Sequence, residues 1–226
     1  MNWISQAIAW LTDPVHLAGP TGLWALVGQH LAITGWATLI AVVIGVPAGL
    51  VIGHTGRGRQ LVVGLSGAAR ALPAIGLLTM VALIAGIGLI GPLVALVVLA
   101  MPSVIAGAYS GIDSIEPVTR DAARGVGMSP MQVLWQVELP LALPQLVGGI
   151  RAAALQVIAT ATLAAYVGAG GLGVLLFRGL KTQDYPQMLA GSIVVVALAF
   201  LVDAAFEVIT RVISRCAGVG AVAQAH

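Results

Sequence analysis

The sequence is poor in charged residues, aromatic rings and cysteine. Only 8% of its 226 residues are Asp, Glu, Lys or Arg and 5% are aromatic, whereas 59% are hydrophobic. A soluble domain of this length would have too little polar material to cover its surface, so the composition excludes a soluble fold. The lone Cys216 excludes an intrachain disulfide and a zinc cluster. A net charge of +2 is too small to indicate nucleic-acid binding.

Two sequence motifs are also missing. No segment reads GxxxxGK(S/T), the loop that holds nucleotide phosphates, so ATP chemistry must come from outside this chain. The start, MNWISQAIAW, lacks the basic residues and the cleavage site of a secretory signal. Because Asp13-Pro14 and Gly19-Pro20 break any continuous helix, residues 1–23 are predicted to form a short interfacial segment. No catalytic residue and no metal site are predicted.

The sequence does contain a series of apolar runs of about the 20 residues needed to cross a bilayer. The pattern predicts an all-α integral membrane protein, a single domain over residues 1–226 with a five-span core at residues 29–213. The predicted spans are Gln29–Gly53, Leu65–Ala85, Ile90–Tyr109, Leu141–Val167 and Met188–Ile213. Prolines within spans are tolerated where neighbouring helices satisfy the freed backbone groups. The 29 glycines are expected to let the helices approach closely.

Basic residues predict the orientation of these spans. Six of them fall in loops or ends that share one side of the membrane: Arg57, Arg59, Arg120, Arg124, Arg211 and Arg215. Arg178 and Lys181 face the other side, while Arg70 and Arg151 sit at span edges. Because cytoplasmic loops are enriched in Lys and Arg, the N-terminus is predicted outside and the C-terminus in the cytoplasm. The polar loop at residues 115–140 then also lies in the cytoplasm.

The loop at residues 115–140 is polar and helix-patterned within an otherwise apolar chain. One short helix is predicted over Ile115–Gly125, followed by a Gly-Val-Gly break. Ser129 and Pro130 predict the N-cap and first turn of a second helix, which should stop at Pro140. Four residues of this second helix are expected near one face: Met131, Leu134, Trp135 and Glu138. On spacing alone, a loop that merely connects two spans is an equal alternative.

The same loop resembles the cytoplasmic signature of binding-protein-dependent ABC importer permeases. That signature reads Glu-Ala-Ala, three residues, Gly, nine residues, Ile, one residue and Leu-Pro. In this chain the matching positions are Asp121, Ala122, Ala123, Gly127, Val137, Leu139 and Pro140. Asp121 replaces Glu and Val137 replaces Ile, and both departures are conservative.

The resemblance extends over about Thr34–Ile213 and implies the core of an ABC type I importer permease. In that family the loop is the coupling helix, which sits in a groove of the ATP-hydrolysing subunit. The implied partners are two ABC ATPase subunits that hold ATP and Mg, a second permease subunit, identical or homologous, and an extracytoplasmic substrate-binding protein. The chain itself is then a multi-pass subunit of the bacterial inner membrane, surrounded by lipid. On the same resemblance, the chain is expected to have no cofactor and no enzymatic activity of its own.

Further segments resemble the osmoprotectant branch of this family. They are GIGLIGPLVALVV, PLALPQLVGGIRAA and AAYVGAGGLG. That branch imports glycine betaine, choline, carnitine and related quaternary amines; the permease of a methionine or other amino-acid importer is the alternative. An ion-coupled secondary transporter would carry ionisable groups at the bilayer midplane and often an inverted repeat, and the sequence shows neither. A non-transporting scaffold would not need the spaced loop.

Candidates for the translocation path come partly from the same resemblance. ARALPAIGLL is similar to the family segment that carries a proline near the path, which nominates Pro73 and the nearby Met80. Tyr109 and Tyr166 are the aromatic candidates inside the spans, although each fits a helix-end anchor better.

Charged residues inside the spans are expected to pair internally. Asp203, Glu207 and Arg211 are spaced four apart and so form one row on a helix, with Glu207 before Arg211 in the favourable order. Arg151 is expected to pair with another span or to reach the headgroups, and His30 to be packed rather than to bind a ligand. Three charged residues of the outer loop are expected to be exposed: Arg178, Lys181 and Asp184.

Overall fold

The computed structural model describes residues 2–60, 62, 64, 67, 71–86 and 88–216. In this part of the chain the backbone forms helices and short connections, without a strand, so the predicted all-α fold is confirmed. The helices in chain order are α1 (Trp3–Thr12), α2 (Pro14–Leu17), α3 (Leu23–Thr55), α4 (Ala74–Ala85), α5 (Ile90–Asp113), α6 (Pro117–Gly125), α7 (Pro130–Gln132), α8 (Leu139–Ala164), α9 (Gly173–Thr182) and α10 (Tyr185–Cys216). A π-helical turn, Val133–Glu138, joins α7 to α8, and a 3-10 turn, Ala165–Val167, follows α8.

The chain separates into two compact units. The first comprises Met1–Ile40, Leu72–Ala100 and Ala154–Val202, and the second comprises Ala41–Ala71, Met101–Ala153 and Asp203–His226.

Four helical segments in the described part are long and apolar enough to cross a membrane. They are Leu23–Thr55, Ile90–Asp113, Pro130–Val167 and Tyr185–Ile213. They confirm the first, third, fourth and fifth predicted spans. The second predicted span is represented by α4, which has 12 residues, while its predicted start at Leu65 lies outside the described residues, as does Arg70.

The N-terminal segment forms two short helices instead of a span. The carboxylate of Asp13 accepts a hydrogen bond from the backbone N–H of Val15 at 3.0 Å and so caps α2. Pro14 occupies the first turn of α2, where its missing N–H has no partner to lose. The predicted helix break at Asp13-Pro14 is therefore confirmed.

The second helix of the loop does not stop at Pro140, contrary to the prediction. The π turn carries it into α8, and the N–H of Leu139 donates to the carbonyl of Leu134, five residues back. Pro140 is the second residue of α8 and directly follows this wider turn, so the change of helix type lies where the chain must accommodate the missing N–H and the ring of proline. Three other prolines lie inside spans, namely Pro47, Pro102 and Pro144, whereas Pro73, which falls inside the second predicted span, directly precedes α4.

Small residues bring the helices of the second unit into close contact. A Cβ added to Gly107 of α5 would lie 2.6 Å from the Cα of Gly149 on α8, so the two backbones touch at this point. An apolar cluster in the same unit joins residues of α3, α5, the π turn and α8: Leu50, Ala108, Ile112, Leu134, Ala142 and Leu146. The end of the loop is thus packed onto the spans by Leu134.

In the first unit, α3 contacts α8 and the glycine-rich segment that follows it. His30 is fully buried, and its Nε2 lies 3.0 Å from the carbonyl oxygen of Ile158. The neighbouring Gln29 accepts a hydrogen bond on Oε1 from the backbone N–H of Gly171 at 3.1 Å. His30 is therefore a packed side chain, as expected.

Charged residues inside the spans pair with one another, as predicted. Arg151 of α8 contacts Asp203 of α10 at 2.6 Å and Glu207 of the same helix at 2.6 Å. Glu207 also contacts Arg211 at 3.1 Å.

The segment around α9, predicted to be an outer loop, differs in one respect from the prediction. Arg178 and Lys181 at the end of α9 are exposed, as expected. Asp184 is half-buried instead, because its carboxylate accepts a hydrogen bond from the N–H of Gln187 at 3.0 Å and so caps the start of α10.

Candidate functional site

The loop between α5 and α8 has the predicted order of helix, glycine break and helix. α6 begins at Pro117, two residues later than predicted, and ends where predicted. The N–H groups of Gly127 and Met128 donate to the carbonyls of Arg124 and Ala123 at 2.9 and 3.2 Å, which closes the end of α6. Gly127 has a φ of +87°, and a Cβ there would meet nothing within 4 Å. The backbone conformation, and not a lack of space, therefore favours glycine at this position.

The second helix of the loop starts as predicted. The Ser129 side-chain oxygen accepts a hydrogen bond from the N–H of Gln132 at 3.4 Å, and the Gln132 side chain accepts one from the N–H of Ser129 at 2.8 Å. This capping box satisfies two N–H groups that a helix start leaves unpaired, and Pro130 takes the first helical position. The helix start is thus fixed by local contacts that the sequence alone indicates.

The second helix has two differently exposed faces, so the prediction of one shared face is wrong. Leu134 and Glu138 are buried, whereas 62% of Met131 and 55% of Trp135 are exposed. A π turn rotates each residue by less than an α turn does, so residues three apart across it point in different directions. On the exposed side, the indole N–H of Trp135 donates to the sulfur of Met131 at 3.0 Å.

The signature residues divide into an exposed and a packed half. Three are exposed: Asp121, Ala122 and Gly127. Four are buried or half-buried: Ala123, Val137, Leu139 and Pro140. The Asp121 side chain is 72% exposed and makes only a 3.8 Å contact with Arg124. The first half of the signature, apart from the buried Ala123, is therefore open to another protein, while the second half holds the loop to α8.

Large apolar side chains are exposed along this polar loop. They are Val118, Val126, Met131 and Trp135, each more than half exposed. Together with Asp121 and Ala122 we refer to them as the exposed loop residues. Apolar groups that are exposed close together in sequence and flanked by charges indicate a surface for another protein, and Trp is a residue type enriched at such contacts.

Sequence reasoning missed a buried charge cluster formed by Glu138 of the π turn. Its side chain is 1% exposed, and its Oε2 lies 2.5 Å from Nδ1 of His54 near the end of α3. Its Oε1 lies 2.9 Å from Nε of Arg120 on α6. The Arg120 guanidinium also donates to the carbonyl of Ile112 in α5. The signal in the sequence was an acidic residue among apolar ones, but its partners belong to other helices and no spacing identifies them.

Three of the four path candidates belong to the first unit. Pro73 is exposed and directly precedes α4, and Met80 on α4 is 54% exposed. Tyr166 lines a cavity of about 330 Å³ that also contains Thr79 of α4. Tyr109 belongs to the second unit, where it is buried in an apolar cluster. A role in the path stays a prediction for all four residues.

Comparison with known proteins finds relatives over most of the chain. Residues 20–215 match the family described as the inner membrane component of binding-protein-dependent transport systems. An osmoprotectant import permease protein of Salmonella typhimurium is 36% identical over 84% of this chain and 92% of its own length. A choline transport system permease protein of Bacillus subtilis is 30% identical over 81% of this chain and 84% of its own length.

Solved structures share the fold as well. A methionine ABC transporter in an inward-facing conformation contains a chain that is similar with a TM-score of 0.75. The identity is 27%, and the match covers 84% of this chain and 95% of the other. The helical architecture predicted from the sequence is therefore one that a known transporter uses.

Proposed function

Since the chain belongs to the family of binding-protein-dependent transport system inner membrane components, we propose that it carries osmoprotectants such as glycine betaine, choline and carnitine. Membership of that family makes it a multi-pass permease of the bacterial inner membrane and not itself a catalyst. The substrate class is supported by the relatives, because two permeases that match more than four fifths of this chain are named for osmoprotectants and for choline.

The exposed loop residues support docking of an ATP-hydrolysing subunit on this loop. The chain has no phosphate-binding loop, so ATP and Mg belong to partner subunits, and we expect two of them in the complex. The loop then faces the cytoplasm, with the N-terminus outside. A second permease chain, identical or homologous, completes the path, and a substrate-binding protein meets the outer side near the exposed Arg178 and Lys181.

Continuity of the helix gives the docking a mechanical consequence. The segment Pro130–Val167 runs from α7 through the π turn into α8 without a break. A displacement that a partner imposes on the exposed Trp135 is therefore delivered directly to a membrane span. This continuity lets ATP-driven movement of the partners open the path alternately to each side.

The permease of a methionine importer is the second candidate, favoured by the likeness to the methionine transporter chain. Uptake by the assembled complex in proteoliposomes decides between them. We expect ATP-dependent uptake of labelled glycine betaine, choline or carnitine and none of methionine. Uptake of methionine alone would overturn the substrate proposal, and uptake driven by an ion gradient without ATP would indicate a secondary transporter instead.

A further inference from the structure

Glu138 is the most deeply enclosed of the acidic residues that the structure describes. Its side chain is 1% exposed, compared with 32% for Asp203 and 41% for Glu207. It lies in the π turn immediately before α8, and π turns within α-helices occur frequently at functional sites. Its position is therefore unusual both in burial and in backbone geometry.

The contacts of Glu138 join several helices of the second unit. His54 reaches its carboxylate from α3 at 2.5 Å, and Arg120 reaches it from α6 at 2.9 Å. The contact between Arg120 and Glu138 is an ion pair without a hydrogen bond from the Arg120 Nε–H. The same guanidinium donates a hydrogen bond to the carbonyl of Ile112 on α5. The carboxylate thus connects the first helix of the loop to the end of α3, and Arg120 connects the same helix to the end of α5.

Stability alone does not account for this arrangement. A buried ion pair contributes little net stability compared with well-packed apolar side chains of similar volume. Apolar contacts, such as those of Leu134 in the neighbouring cluster, are non-directional and permit sliding between helices. The hydrogen bond between Glu138 and His54 is directional, and the Arg120 guanidinium is attracted to the second oxygen of the same carboxylate, so the two contacts together favour one register between the elements that they join.

We propose that Glu138 is a positioning residue that, together with Arg120, holds α6 to the ends of α3 and α5, so that a partner displacing the loop moves all three as one body. This inference rests on the proposed docking of an ATPase subunit on the loop. The loop is already joined to α8 by a continuous helix. The contacts of Arg120 transmit movement of α6 to two further spans, α5 and, through Glu138, α3. Loss of the carboxylate charge leaves the loop able to bind the partner, but it weakens the connection of α6 to α3 and removes the negative charge that holds Arg120 beside the carbonyl of Ile112.

The test is the number of ATP molecules hydrolysed per substrate molecule imported by the reconstituted complex. Glu138→Gln preserves the size of the side chain and removes its charge. We expect this ratio to rise by about fivefold or more, the lower bound of usual coupling between sites, while the amount of assembled complex changes little. An unchanged ratio in a normally assembled complex overturns the proposal.

A second set of variants tests the partners of Glu138, and the first of them, His54→Gln, covers the case in which Glu138→Gln does not accumulate. His54→Gln alters one contact of the cluster at a side chain that is 18% exposed, compared with 1% for Glu138, and it should also raise the ratio of ATP hydrolysed to substrate imported. Combining Arg120→Gln with Glu138→Gln tests whether the two residues act through one contact. The ratio of ATP hydrolysed to substrate imported should rise no further in the double variant than in the more severe of the two single variants. Increases that add up in the double variant contradict the proposal.

Glu207→Gln is the matched control. It makes the same acid-to-amide change in the same unit, and it removes contacts with Arg151 and Arg211 that do not involve the loop. We expect its ratio of ATP to substrate to equal that of the unaltered protein. An equal rise in both variants would show a general effect of lost ion pairs and would overturn a specific role for Glu138.

A distance measurement separates this proposal from the substrate proposal. In a Cys216→Ser background, spin labels at Thr55→Cys and Gly125→Cys report the separation between the ends of α3 and α6, with the labelled chain diluted into unlabelled chain. The mean distance between the labels should be the same with and without ATP, and the distribution of distances should broaden in Glu138→Gln. A change on ATP binding in the otherwise unaltered chain overturns movement as one body, whichever substrate is transported.

Discussion

Arg151 and Asp203 share two hydrogen bonds, from Nε to Oδ1 at 2.6 Å and from Nη2 to Oδ2 at 2.8 Å. The same guanidinium donates to Glu207 at 2.6 Å, so one arginine of α8 neutralises two acidic residues of α10. A planar guanidinium can satisfy both carboxylates at once, which a lysine ammonium cannot do with the same geometry. The contact joins two spans by directional bonds within a largely apolar surrounding.

Replacing Arg151 should therefore destabilise the protein more than replacing a more exposed arginine. Arg151→Met leaves Asp203 and Glu207 without their shared cation, and we expect a lower unfolding temperature in detergent. Arg211→Met is the control, because Arg211 is 70% exposed and contacts only Glu207 by an ion pair. Equal unfolding temperatures for the two variants would contradict a structural role for the Arg151 contacts.

The close approach of α5 and α8 gives a second stability prediction. A Cβ at Gly107 would lie 2.6 Å from the Cα of Gly149, a backbone atom that cannot move away alone. Gly107→Ala is expected to force the helices apart and to lower the free energy of unfolding by about 1–3 kcal/mol. Gly148→Ala is the control, since a Cβ at Gly148 meets nothing within 4 Å. A melting temperature as high as that of the control would show that the helices can separate without loss.

The spans could be predicted because hydropathy is a local property of the chain. Runs such as the one from Tyr185 to Ile213 are apolar over their whole length, and only a helix satisfies their backbone groups in lipid. The continuation through Pro140 could not be predicted, because it depends on a π turn that local rules for proline do not anticipate.

The site shows the same division between local and distant contacts. The capping box at Ser129 and the positive φ at Gly127 follow from neighbouring residues, so the sequence indicates both. The environment of Glu138 depends on His54 and Arg120, which approach it only in the folded chain. The sequence did not predict that Trp135 is exposed while Leu134 is buried, because the spacing of a regular α-helix does not hold across a π turn.

The exposed Trp135 gives a prediction for partner binding. Trp135→Ala should weaken association with the ATPase subunit by about 2 kcal/mol, or roughly thirtyfold, because large aromatic residues dominate protein contacts. The fold should be unaffected, since the side chain is 55% exposed. Trp24→Ala is the matched control, as Trp24 is 68% exposed on α3 and distant in sequence from the loop. Co-purification at graded concentrations measures the difference, and equal binding by both variants argues against docking at Trp135.

The charge of Asp121 gives a prediction that separates charge from side-chain length. Asp121→Asn should weaken binding of the ATPase subunit by about 1 kcal/mol or less and reduce its dependence on salt, because the group is 72% exposed. Asp121→Glu should bind at least as well as the unaltered protein, since it retains the charge. Asp113→Asn, the same change at an exposed position at the end of α5, is the control. If neither Asp121→Asn nor Asp121→Glu changes the binding of the ATPase subunit, Asp121 makes no charge contact with it.

The backbone of Gly127 gives the most direct test of the loop as a coupling element. A Cβ at Gly127 would meet nothing within 4 Å, but a β-branched residue such as the valine of Gly127→Val carries a strain of about 1–3 kcal/mol at a φ of +87°. The strain acts on the break between α6 and α7, so we expect the protein to reach the membrane with weakened ATPase association or with hydrolysis uncoupled from uptake. Gly125→Ala adds a side chain two residues earlier, where the helix accepts it and the space is open, and should behave normally. Normal uptake together with normal ATPase stimulation in Gly127→Val would mean that the geometry of the glycine break does not matter for coupling, and the loop would be only a connection between spans.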